Sequence, residues 1–317
     1  MKLCQKVAIF VLTLSFQVAC ADDWQTLSQA AKAGQKLSLQ GQYVHRHQYR
    51  LSAFSLYRQQ QDFGLIERRV AEDGIPREII KTGGELSFFT NQEKGLMLSL
   101  ADTTSLFPAV LPVDVNVLKD SYTVASGKIT RIARRNCQWL WLKPKENNRY
   151  TQGFCLDSEN RLPLAQIYQS NGKIIEINQF TRLSFTQPSK EDVQPDKRLT
   201  VTDRFTLPPQ PAWYRQSNTS DWRYLKKLPK GFFVLSHKDM KVDPRADKGR
   251  HYIVSDGLVN ISLFIEHFPN TPQLKKTMPM SGALSSAEKI QGNYKIIAIG
   301  DLPETGIKTF VQDVEIK

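Results

Sequence analysis

Cys137 and Cys155 are the residues of this chain whose type and spacing specify chemistry most directly. The other two cysteines, Cys4 and Cys20, fall within the first 21 residues. In an oxidising compartment the remaining two are expected to pair. Gln138–Lys143 and Tyr150–Leu156 read as strands flanking the turn-rich stretch Lys145–Asn148. A hairpin centred on Glu146 sets Cys137 opposite Cys155, Trp139 opposite Gly153 and Leu140 opposite Gln152. Directly opposed positions bring Cβ atoms to ~4.5–5.5 Å, which suits a disulfide. No C-x-x-C motif and no neighbouring soft ligand argue for redox cycling or for zinc.

The other reactive groups form no catalytic set. Of the five histidines, His45 and His47 share one face of a strand, but two ligands are too few for a zinc site. Ser255-Asp256-Gly257 reads as a tight turn, its Asp and Gly serving backbone geometry. A G-x-S-x-G elbow, a P-loop and a G-x-G-x-x-G loop are all missing. The carboxylate pair Glu191-Asp192 falls in a Pro-rich stretch. The expectation is a protein without cofactor, metal or catalytic residues. The apolar side chains Phe88, Leu98, Phe107, Trp139 and Trp141 come from strand-like segments with few helices to cover them. Two readings stand: a packed core, or an apolar groove for acyl chains or a peptide.

The amino terminus reads as a secretion signal. Lys2 and Lys6 precede the apolar run Val7–Phe16, and Ala19-Cys20-Ala21 forms an A-x-A cleavage site. Cleavage after Ala21 and lipidation of Cys20 are the two alternatives, and Gln17 fits a lipobox poorly. Later in the chain there is no run of about 18 apolar residues. A periplasmic protein is expected. The net charge of +12, or +10 once Lys2 and Lys6 are removed, favours anionic partners, and the compartment disfavours nucleic acid.

The elements that must position these residues are mostly strands. Trp24–Lys36 has helical spacing and ends near Gly34. From Leu37 the period becomes two, through Leu51–Tyr57, Leu65–Val70, Arg77–Lys81, Glu85–Phe89 and Gly95–Leu100. A Pro-bearing apolar stretch around Leu106–Val113 interrupts the meander. Strands resume at Tyr122–Ala125 and Lys128–Ala133, and later at Ala165–Gln169 and Lys173–Phe185, these last two joined at Asn171-Gly172. Prolines and charges over residues 188–212 mark a linker, dividing a large β domain (22–187) from a small carboxy-terminal domain (213–317). The small domain is expected to carry strands at Phe232–Ser236, Arg250–Ser255, Leu258–Phe264 and Tyr294–Ile299, then a helix over Glu304–Val314. The fold class is α+β.

Several short motifs, in order, give the chain a family likeness. They are Gly41-Gln42-Tyr43-Val44-His45-Arg46-His47, Asp73-Gly74-Ile75-Pro76-Arg77-Glu78-Ile79, Cys155-Leu156-Asp157, Arg161-Leu162-Pro163-Leu164, Leu228-Pro229-Lys230-Gly231-Phe232, the run His251–Ser262, and Gly300-Asp301-Leu302-Pro303. The chain resembles the MucB/RseB family of periplasmic sigma-E regulators, with departures near residue 140 and in the charged stretch 192–204. The resemblance implies a half-closed antiparallel barrel similar to the lipoprotein carriers LolA and LolB, with covering helices, and a smaller α/β domain after it. It implies binding of the periplasmic segment of an RseA/MucA-type anti-sigma factor, protection of that segment from proteolysis, and release by lipid or lipopolysaccharide acyl chains. The expected partner contacts are Trp222, Lys226, Lys227, Lys230, Phe232, Arg250 and Tyr252, and the expected lipid contacts are the apolar residues named above. A lipid or lipoprotein carrier is the competing function, and self-association is left open.

Overall fold

The computed structural model describes residues 22–47, 50–91, 106–206, 224–273 and 282–317. The expected signal segment, Leu98, the strand at Gly95–Leu100 and Trp222 lie outside the described residues. Helix α1 (Asp23–Lys36) starts where the Asp22 carboxylate accepts the Trp24 amide, a cap that satisfies one otherwise unpaired donor. It buries Leu27, Ala30, Ala31 and Ala33.

Ten strands that follow build one antiparallel sheet, and an eleventh joins its edge. They are β1 (Leu39–His47), β2 (Arg50–Gln61), β3 (Gly64–Ala71), β4 (Arg77–Thr82), β5 (Glu85–Thr90), β6 (Tyr122–Ile132), β7 (Arg135–Pro144), β8 (Thr151–Asp157), β9 (Pro163–Ser170), β10 (Lys173–Ser184) and β11 (Thr200–Thr206). Their order is β11-β5-β4-β3-β2-β1-β10-β9-β8-β7-β6, and the two end strands do not pair, so the sheet is large and open. The stretch expected as two strands at Tyr122–Ala125 and Lys128–Ala133 is one strand with a register irregularity between Ser126 and Ile129. A bulge of this kind breaks the alternation without ending the pairing. Helix α1 and the segment 106–121, with its 3₁₀ turn Val115–Leu118, pack with the sheet around Leu39, Leu56, Phe107, Leu118, Leu140, Phe154 and Phe180.

The described part of the expected linker, 188–206, is packed against the sheet and is no free spacer. Val193 is buried with Ile66 and Ile80, Gln59 donates to the Pro188 carbonyl, and the Asp196 amide donates to Glu78. Thr200–Thr206 then pairs with β5. Proline and charge density mark irregular backbone, but they do not say whether that backbone is packed.

The second unit is a five-stranded antiparallel sheet. Its strands are β13 (Phe233–Asp239), β14 (Lys248–Ser255), β15 (Asn260–His267), β16 (Ser285–Gln291) and β17 (Tyr294–Gly300), in the order β13-β14-β15-β17-β16. Helix α2 (Glu304–Asp313) covers β16 and β17. The short strands β12 (Leu225–Lys227) and β18 (Glu315–Ile316) pair separately. Tyr252, Val254, Leu263, Ile296, Ile307 and Phe310 form the core of this unit. The fold as a whole is mostly β, with few helices.

Candidate functional site: a cavity on the seam between two domains

The Cys137–Cys155 disulfide forms, with Cα atoms 5.4 Å apart and both side chains buried. The hairpin around it sits two residues from the expected register. Cys137 faces Asp157, Trp139 faces Cys155 and Trp141 faces Gly153, so the bridge is diagonal. The turn centres on Asn147 rather than Glu146, and a shift of two residues keeps every side chain on its own face, so hydrophobic patterning cannot detect it. Trp139 and Trp141 stack with ring centroids 5.4 Å apart and lie against Gly127 and Gly153.

Two turns of the small domain seat on the large one. The first is Ser255-Asp256-Gly257-Leu258. Asp256 is fully buried. Its Oδ1 accepts the amides of Leu258 and Val259, which fixes the turn. Its Oδ2 accepts Arg149 Nε at 2.6 Å and the Tyr122 hydroxyl at 3.0 Å, both from the large domain. Burial and the neighbouring carboxylate push the Tyr122 hydroxyl well above the ordinary tyrosine range, so it remains a donor. The Arg149 guanidinium also lies 4.5 Å over the Phe232 ring. Gly257 has φ +97°, and a Cβ there would sit 2.5 Å from Val117 Cγ2, so only glycine fits. Leu258 enters the large-domain core. The second turn is Gly282-Ala283, whose Ala283 amide donates to Glu176 Oε2 at 3.1 Å while His45 Nε2 donates to Glu176 Oε1 at 2.8 Å. Burial alone would raise the Glu176 pKa, but the hydrogen bonds from His45 and Ala283 outweigh it and hold this carboxyl below the usual range.

Between these turns lies a cavity of about 450 Å³, within the range of small-ligand sites. It is amphipathic. Phe54, Ile79, Phe88, Phe89, Leu106 and Phe107 line one part, and His45, Gln166, Tyr168, Glu176 and Asn178 the other. Leu258, Asn260 and Asp301 close it from the small domain. Arg69 and Arg77 stand at the wall. Arg69 is buried with its cation paired: it donates to the Tyr43 hydroxyl, Glu67 and the Phe107 carbonyl, each at 2.7 Å. Burial would raise the Glu67 pKa, yet Arg69 and then Arg58 hold this carboxylate below the usual range. Arg77 has a looser setting, donating to the Ile75 carbonyl at 3.3 Å and lying 5.7 Å from the Phe54 ring centroid.

Of the expected lipid contacts, Phe88 and Phe107 line this cavity. Trp139 and Trp141 are not among its lining residues, because on β7 they point to the face opposite Leu140 and Leu142. The expected partner contacts do not form one surface. Tyr252 is wholly buried in the small-domain core, and Arg250 is 8% exposed, bonded to His237 Nδ1 at 2.6 Å. Both are buried in this arrangement, because their strand β14 is buried on both faces. Lys226 and Lys227 are exposed, each 3.2 Å from Glu315. Lys230 and Phe232 border a second, smaller cavity of about 200 Å³ at the seam, opposite Glu146 and Asn148. The polar lining residues Gln166, Asn178, Asn260 and Asp301 carry no local signal in sequence, since strands far apart in the chain bring them together. His45 and His47 do share a face, with ring centroids 5.2 Å apart. Among the described residues no cluster of His, Cys, Asp and Glu could hold a metal ion, and no helix is long and apolar enough to cross a membrane.

These features define a two-domain β protein with a cavity walled by both domains. Residues 22–199 match the MucB/RseB N-terminal domain and residues 216–315 the MucB/RseB C-terminal domain, and the chain belongs to the MucB/RseB family. It is 27% identical to the sigma factor AlgU regulatory protein MucB of Pseudomonas aeruginosa, over 90% of this chain and 88% of that one. It is 22% identical to the sigma-E factor regulatory protein RseB of Escherichia coli K12, over 91% and 89%. Among solved structures, the Pseudomonas aeruginosa MucA/MucB complex superimposes with a TM-score of 0.74 at 21% identity, covering 94% of this chain and 99% of that one. MucB in complex with MucA(peri) gives 0.72 at 20% identity, over 93% and 99%.

Proposed function

We propose that this protein is a non-catalytic periplasmic regulator that binds the periplasmic segment of a MucA/RseA-type anti-sigma factor. Bound in this way, the segment is shielded from proteolysis and the envelope-stress sigma factor stays restrained. The observation that carries the reading is the correspondence of both domains, in order and over nearly the whole chain, with regulators of this type. Lipid or lipopolysaccharide acyl chains act as the releasing signal. Support for that part comes from the cavity: its phenylalanine-rich part suits an acyl chain and its carboxamide-rich part a polar headgroup. Because both domains wall the cavity, a ligand there acts on domain arrangement if it favours one arrangement over another. The exposed lysines Lys226, Lys227 and Lys230 offer contacts to acidic partner residues.

Titration calorimetry of the protein with the periplasmic segment of its own anti-sigma factor, with and without lipopolysaccharide, tests this. Binding that weakens when lipopolysaccharide is present is the expected result. Binding indifferent to it removes the releasing signal. Capture of lipid with no binding of the segment replaces the regulator with a lipid carrier.

A further inference from the structure

The two turns that join the domains differ in kind. The Asp256 turn is anchored by a buried ion pair and by Leu258 in the large-domain core. The Gly282-Ala283 turn packs Ala283 against Tyr150 and Tyr168 and is held by titratable side chains at the rim of the cavity. Glu176 on β10 takes His45 on one oxygen and the Ala283 amide on the other. Directly across from Glu176 on β1 is His47. Gly282 presses on both: a Cβ there would lie 2.8 Å from Glu176 Oε2 and 3.1 Å from His47 Cβ. The docked turn therefore covers His47 and completes the Glu176 site.

We propose that this contact is an acid-released latch, in which protonation of His47 detaches the Gly282-Ala283 turn from Glu176 and opens the seam over the cavity. The inference concerns how the domains dock and stands apart from which segment the protein binds.

The groups facing His47 decide the sign. Burial first, then the neighbouring His45, lower its pKa below the ordinary histidine value, with Arg50 adding to the effect and Glu176 opposing it. Its neutral form is thus the one favoured when the turn is docked. The Gly282 turn adds to that burial, and a group whose folded pKa lies below its free value of about 6.5 loses its support for the folded arrangement as pH falls through that range. Glu176 is held below its free range, so it stays ionised through this window and is not the trigger. His45 Nε2 lies 2.8 Å from Glu176 Oε1, on the oxygen opposite the one that takes the Ala283 amide. From the remaining elements, the Tyr150 and Tyr168 hydroxyls are pushed upward, chiefly by burial, and stay neutral. Asp301 of the small domain adds negative charge near both.

Hydrogen–deuterium exchange of the full chain, read on the Ala283 amide and corrected for the intrinsic pH dependence, tests the latch. Protection of Ala283 is expected to fall by about threefold or more between about pH 7.5 and about pH 5.5, while the amides of β14 and β15 keep theirs. In His47→Gln the profile should be flat. Glu176→Gln should lose Ala283 protection at every pH. No fall in the unmodified protein, or an equal fall in His47→Gln, overturns the proposal. NMR titration of the unmodified protein gives a measurement that needs no variant. There the His47 midpoint must lie below about 6.5 and coincide with the loss of Ala283 protection, and a midpoint at or above that value overturns it.

Discussion

Replacing Arg149 with methionine should uncouple the small domain from the large one at measurable cost. The Arg149 side chain is 4% exposed and that of Asp256 is 0% exposed, so the pair is desolvated. Breaking a buried pair by removing one partner costs ~3–5 kcal/mol, because the remaining charge is left uncompensated. Asp256 would keep three hydrogen bonds, from the Tyr122 hydroxyl and the Leu258 and Val259 amides, which moderates its loss. Methionine also fills much of the space over Phe232. The expected loss is therefore at the low end, about 3 kcal/mol. Equilibrium urea unfolding, followed by tryptophan fluorescence, measures it. Asp256→Asn in the same background removes the stranded charge, so Arg149→Met/Asp256→Asn should lose about 1–3 kcal/mol less than the two single changes combined. A loss below about 1 kcal/mol in Arg149→Met, or strict additivity in the cycle, would refute the claim that this ion pair holds the seam.

Gly257→Ala should destabilise by about 2 kcal/mol or more in the same assay, since it combines a left-handed backbone with a Cβ against Val117; a change within ~0.5 kcal/mol contradicts the packing described. Removing the disulfide as Cys137→Ala/Cys155→Ala frees a loop with a sequence separation of 18 and should cost about 3 kcal/mol by the loop-entropy argument, checked by thermal unfolding with and without reductant. His251 stacks on Phe264 and has its pKa pushed down to about 4, first by burial and then by Lys238. Its folded value lies below its free one, so stability is lost as pH falls from about 6.5 toward 4, by up to about 3 kcal/mol. His251→Phe should flatten that part of the stability profile, and an unchanged slope between those pH values would assign the acid sensitivity elsewhere.

Much of the large sheet was legible because strands that alternate apolar and polar residues declare both their type and their exposed face. The segments from Leu51–Tyr57 to Glu85–Phe89 appear where period two placed them. A helix was likewise expected over Glu304–Val314, and α2 spans Glu304–Asp313. β11, β16 and the short pair β12 and β18 were not legible. Their apolar content is low, and they are strands because neighbours supply hydrogen-bonding partners. The site was half legible for a related reason. Phe88 and Phe107 could be picked as apolar surface in need of a cover, whereas Gln166, Asn178 and Asp301 acquire a role only through pairing across the sheet and docking across the seam.

Ser255-Asp256-Gly257 shows how a correct local reading can miss the larger role. As a turn it was expected to serve backbone geometry, and it does, through Asp256 Oδ1. The same carboxylate's second oxygen faces the other domain and takes the buried Arg149 and Tyr122. Domains joined by small polar interfaces move relative to each other by default. Here one joint is held more firmly, because opening it would separate the buried Asp256–Arg149 pair and expose Leu258 to water. The joint at Glu176 holds no buried ion pair: opening it gives up the Ala283 amide hydrogen bond and unpacks Ala283 from Tyr150 and Tyr168. Any opening of the seam over the cavity would therefore fall on the Glu176 side, with the Asp256 turn staying in place. A ligand shifts that motion only as far as it prefers the open seam to the closed one.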